Sequence, residues 1–84
     1  MNKKTMDFPE YRKMKNNKAF YKIINEKEFD EIQLIGNKAK LFHIVAEQYP
    51  EMLRIQDMLK MDNDWFLEFN ENEFNDVLKK HDLE

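Results

Sequence analysis

Cysteine and serine are both absent from this 84-residue chain, and threonine occurs once, at Thr5. Neither a disulfide framework nor a thiolate metal site can be built, and nothing ties the chain to an oxidising compartment. Hydroxyl and thiol nucleophiles are nearly excluded too, which points away from an enzyme. A single glycine, Gly36, rules out phosphate cradles of the glycine-rich type. No apolar run approaches the ~18 residues of a membrane span, and none follows Lys3 and Lys4 as a targeting segment would require. The expectation is a cytoplasmic chain without cofactor, metal or membrane association.

Enough apolar residues remain to build a core. Eleven residues are Phe, Tyr or Trp and 42% are hydrophobic, too many for a disordered acidic tail. Two cores would leave each half about 40 residues, the size at which disulfides or metals become necessary, so residues 1–84 read as one domain. Residues 1–9 are expected to be flexible, and Leu83-Glu84 reads as a cloning remnant. Charge is uneven: residues 1–22 hold seven bases against two acids, and residues 23–84 seven bases against fifteen acids.

Sliding the chain by 45 positions reveals a weak internal repeat. Phe20-Tyr-Lys-Ile-Ile-Asn-Glu-Lys-Glu-Phe29 falls on Trp65-Phe-Leu-Glu-Phe-Asn-Glu-Asn-Glu-Phe74, and Ile32 falls on Val77. Each copy begins with a short aromatic and β-branched run suited to a strand. Asn25 and Asn70 then stand where a helix N-cap belongs, with Glu28 and Glu73 three residues on, a capping-box variant. Phe29, Ile32 and Ile35 recur at helical spacing, as do Phe74, Val77, Leu78 and His81. Gly36 and Asn37 would end the first helix, and Lys79, Lys80 and His81 suit the last turn of the second.

Upstream of each strand lies a turn signal, Lys15-Asn16-Asn17-Lys18 and Met61-Asp62-Asn63-Asp64. The first hairpin pairs Tyr11–Met14 with Ala19–Ile24. The second pairs a strand in Leu53–Leu59 with Trp65–Phe69. Residues 50–61 also read as a helix opened by Pro50, with Met52, Ile55 and Leu59 on one face; the internal repeat decides for strand. Leu41-Phe-His-Ile-Val-Ala46 is apolar on both alternating faces apart from His43, the signature of a central strand. The expected fold is α+β: a small antiparallel-dominated sheet in the order β-β-α-β-β-β-α, built from two ββα-like units, with both helices on one face. Phe20, Ile24, Phe29, Ile32, Leu41, Val45, Ile55, Leu67, Phe69, Phe74, Val77 and Leu78 form the expected core.

That arrangement leaves Tyr21, Ile23, Phe42, Ile44 and Phe66 on an uncovered sheet face, and a two-fold axis would make such a patch self-complementary. The leading expectation is a non-catalytic protein-interaction or assembly module, a homodimer or the binder of a protein partner. A small acidic inhibitor covering a basic active site belongs to the same class. The alternative is a nucleic-acid-binding accessory protein, in which Arg12, Lys13, Lys15, Lys18 and Lys22 meet phosphates while neighbouring aromatics stack on bases; the acidic body of the chain works against it. An enzyme would have to use His43 with a neighbouring carboxylate. His81 reads as a helix-end residue. Asp62, Asp64, Glu68, Asn70 and Glu73 imitate calcium-loop spacing, but Leu67 stands where the loop needs glycine, so no calcium site is expected.

Overall fold

The structure is a computed structural model that describes residues 8–61 and 64–83. Five strands and two helices follow one another as β1 (Glu10–Met14), β2 (Ala19–Asn25), β3 (Glu28–Ile35), β4 (Lys38–Val45), α1 (Tyr49–Lys60), β5 (Phe66–Phe69) and α2 (Glu71–Lys80). All pairings are antiparallel, and the lateral order is β4-β3-β2-β1-β5. The class is therefore α+β, with five strands and two helices as the sequence implies. Within the chain order, however, the third and fifth elements exchange identities.

Residues 28–35 are a strand instead of a helix. The Asn25 side chain does not cap a helix; its Oδ1 accepts from the Lys27 N–H at 2.7 Å, and its Nδ2 donates to Glu28 at 2.8 Å, which closes a hairpin. Gly36, at φ +64°, a conformation that residues with an L side chain rarely adopt, then turns β3 into β4 through the two-residue loop Gly36–Asn37. Phe29, Ile32 and Leu34 still find apolar surroundings because both faces of the sheet are covered.

Residues 49–60 are a helix instead of a strand. Ile55 and Met58, three positions apart, are its buried residues, and Pro50 sits in its first turn. Met61 closes it in the left-handed region, its N–H donating to the Asp57 carbonyl. Good helix formers through this stretch prevail over the internal repeat. β5 consequently pairs with β1, Tyr11 facing Phe69 and Met14 facing Phe66. Asp62 and Asn63, the centre of the expected second turn, lie outside the described residues.

The helices pack on opposite faces, not on one. Ile55 and Met58 of α1 join Ala19, Tyr21, Ile23, Phe29 and Ala46, whereas Phe74 of α2 joins Tyr11, Phe20 and Ile32. Alternation along β2 sends 19, 21 and 23 one way and 20 the other, so the sheet is the middle of three layers. Burying side chains such as Phe29, Ile32 and Ile55 contributes roughly 1.5–3 kcal/mol each. α2 forms as expected, with Asn70 Oδ1 accepting from the Glu73 N–H at 2.9 Å. At the ends of the described residues, Phe8 packs on the α1-side core and Leu83 on the α2-side core.

Arg12 joins sheet and helix. Nearly all of it is buried; its Nε donates to the Met58 carbonyl at 2.9 Å, and its Nη1 donates to the Tyr11 carbonyl at 2.8 Å and meets Glu10 at 3.2 Å. Met58 lies in the last turn of α1, where carbonyls lack helical partners and the dipole favours a cation. Glu31 is buried on the same face, accepting from the Tyr21 hydroxyl at 3.3 Å and Gln33 Nε2 at 3.1 Å, with Arg54 at 3.6 Å. Burial, with Glu31 beside it, pushes the Tyr21 phenol up to about 12.

Candidate functional site: the open edge strand

The face expected to stay open is the one α1 covers. Tyr21 and Ile23 are buried, Ile44 and Phe66 are half-buried against the same core, and only Phe42 is exposed. The five residues do share one face, since Tyr21 and Phe42 both pair with Glu31 and Ile23 and Ile44 both pair with Phe29. Tyr21, Ile23, Ile44 and Phe66 pack within the chain, because the fifth element is a helix that lies across them; Phe42 stays at the border.

The basic residues of the first hairpin do not form one surface. Arg12 is buried and its donors are engaged within the chain. Lys13 projects to the α2 side, its Nζ 5.6 Å from the Phe69 ring centroid. Lys15 and Lys18 are exposed in the turn, and Lys22 is half-buried opposite Asp30. Among the described residues, these five bases are thus divided between the interior, the α2 side of the sheet and the hairpin turn.

What the structure leaves open is the lateral edge of β4. This strand is an edge, not the centre, and Leu41, Phe42 and Val45, together with Ile35 beyond the turn, are 40–56% exposed. The direction of its peptide groups follows from one bond. The Ala46 N–H donates to the Lys27 carbonyl, so in an antiparallel ladder every second residue back from Ala46 also faces β3. Residues 38, 40, 42 and 44 therefore bond inward, and Ala39, Leu41, His43 and Val45 direct N–H and C=O outward. Among the described residues, no strand pairs with that side.

Edges of this kind are normally short, charged or interrupted by proline. Here Lys38 and Lys40 guard one half, and Leu41–Val45 carries one polar side chain, His43. The other edge, β5, is only four residues long. Strand β4 is thus the long, apolar, template-like border of the molecule.

His43 lies on the α2 side of β4, exposed, its Nδ1 2.6 Å from Asp30 Oδ1 and its Nε2 3.4 Å from Glu28 Oε2. The Asp30 hydrogen bond raises its pKa above the ordinary 6.5, with Glu28 adding to the effect. Because the two carboxylates engage opposite ring nitrogens, they do not converge on one point as metal ligands would. Among the described residues no group of three His, Asp or Glu is disposed to hold a metal ion. His43 lines neither the cleft at Met14 and Trp65 nor the one at Met52 and Leu59. His81 is the C-cap of α2. Of the calcium-like positions, Asp62 lies outside the described residues, and Asn70 and Glu73 are joined as cap and capped N–H.

A raised folded-state pKa means that protonated His43 stabilises the fold below pH 6.5, a contribution lost as pH rises through the folded value. Its NMR titration midpoint is expected above 6.5, and Asp30→Asn should move it back toward 6.5. A midpoint at or below 6.5 in the parent would show that the ring is not held by Asp30 in solution.

Sequence periodicity placed Leu41 and Val45 in the core because it reports which faces are apolar, not which side lacks a neighbour. The overlooked signal is Gly36-Asn37, a two-residue turn between apolar stretches, which makes 28–45 one hairpin. No helix among the described residues is long and apolar enough to cross a membrane. Comparisons with protein-family models, curated proteins and solved structures give no match for this chain.

Proposed function

We propose that this chain is a non-catalytic protein-interaction module that receives an extended strand on its β4 edge. The supporting observation is the pairing phase of β4: four alternate residues, Ala39, Leu41, His43 and Val45, direct their peptide groups outward in a strand that carries Leu41 and Val45 on one face and Phe42 and Ile44 on the other. Strand addition draws affinity from main-chain hydrogen bonds and specificity from alternate side chains, and β4 offers both. The interaction surface inferred from sequence thus moves from the sheet's face to its border.

Selecting a displayed library of random extended peptides on the immobilised protein tests this reading, with Leu41→Pro as comparison bait. Proline at 41 removes one outward donor and no bond to β3, so the fold should persist at this edge position. Peptides of alternating apolar pattern are expected to bind the parent and lose affinity about tenfold on the proline variant, as losing one or two backbone hydrogen bonds implies. Equal binding to both baits would remove the β4 edge as the receptor.

A further inference from the structure

Resting on the strand-addition reading, we infer that the occupant of the edge is a second copy of this chain, β4 against β4, antiparallel about a two-fold axis through Phe42. A two-fold perpendicular to the sheet keeps the faces of the two copies aligned, so paired residue numbers have the same parity. Centring on Phe42 sets Leu41 against the partner's His43 and Ala39 against the partner's Val45, and every outward N–H and C=O of those four residues acquires a partner. A centre at Leu41 pushes Val45 against the Gly36–Asn37 turn; a centre at His43 pushes Ala39 past the end of the partner's strand. Only the Phe42 register uses the whole strand.

Charge agrees with direction. β4 begins with Lys38 and Lys40 and is followed by Glu47. Parallel pairing would set Lys38 and Lys40 beside their own copies, whereas the antiparallel register carries Lys38 to the partner's Ala46, next to the partner's Glu47. The closure is also favourable. Two β4 edges consume each other and leave the short β5 strands as the outer borders of a ten-stranded sheet, while β4-to-β5 pairing would mismatch eight residues with four and propagate without end. At the axis, the half-exposed Phe42 rings meet as a non-hydrogen-bonded pair, the closer of the two antiparallel pair types.

Because the chain has no cysteine, one introduced thiol reports the register directly. Light scattering over a concentration series should rise from the 10.4 kDa of one chain toward twice that mass, with Leu41→Pro weakening association about tenfold or more through its two lost backbone hydrogen bonds. Under mild oxidation Phe42→Cys should give a disulfide-linked dimer, its two Cα atoms lying within bridging range. Lys40→Cys should not, since the two Lys40 positions lie four residues apart along the ladder, about 13 Å. A single-chain mass up to the solubility limit overturns the inference. So does a dimer in which Lys40→Cys cross-links or Phe42→Cys does not. If the chain stays monomeric but selected peptides bind the parent over Leu41→Pro, strand addition stands and self-pairing alone fails.

Discussion

Alanine substitutions through α1 should lower stability with helical rather than strand periodicity. Ile55→Ala and Met58→Ala are each expected to cost about 2–5 kcal/mol, because both side chains are buried in the α1-side core and their removal leaves a cavity beneath the helix. Gln56→Ala and Asp57→Ala, exposed on the far side, should stay within about 0.5 kcal/mol. Small domains hold only about 5–15 kcal/mol in total, so either core variant removes a large part of it. Chemical denaturation midpoints at unchanged m decide the matter. Sensitivity at 55 and 57 with tolerance at 58 would mean that a strand occupies this segment and that the face with Tyr21 and Ile23 is uncovered after all.

Arg12→Ala should be the most damaging change of a charged residue. It leaves the Met58 carbonyl without the Arg12 donor, at about 1–3 kcal/mol for a buried acceptor left unsatisfied, and takes a charged donor from the Tyr11 carbonyl. It also detaches the last turn of α1 from β1. Arg12→Lys keeps the charge but not the forked donors, so an intermediate loss is expected. Lys15→Ala, in the exposed turn, serves as the reference and should be near neutral. Thermal or denaturant unfolding of the three variants provides the comparison; Arg12→Ala as stable as Lys15→Ala would show that the guanidinium is not an internal tie. It would also return Arg12 to the surface as a contact for an acidic partner.

The two Asn-x-x-Glu segments show what local sequence can and cannot specify. Asn70 and Asn25 each accept from a nearby backbone N–H, one three residues on to open α2 and the other two residues on to close a hairpin. The two bonds are of similar worth, so the choice falls to the residues that follow. After Asn70, Phe74, Val77 and Leu78 form a single stripe that fits one face of the sheet. After Asn25, Phe29 and Ile32 need opposite faces, which only a strand provides. The first turn was legible because Asn17 takes φ 61° and Asn16 accepts from the Lys18 N–H, both properties of the asparagine side chain itself. The position of β4 was not, since whether a strand is flanked on one side or two depends on β5 joining β1 from more than fifty residues away.

That remote pairing sets the sequence of events as the chain emerges during synthesis. The first four strands form a meander of neighbours, complete before either helix has appeared. Until α1, β5 and α2 arrive, the meander has two bare faces and two unpaired sides, with Tyr21 and Phe29 open on one face and Phe20 and Ile32 on the other. The elements from Tyr49 to Lys80 are therefore the sheath of a nascent sheet, and a chain truncated after Ala46 would carry that sheet unsheathed.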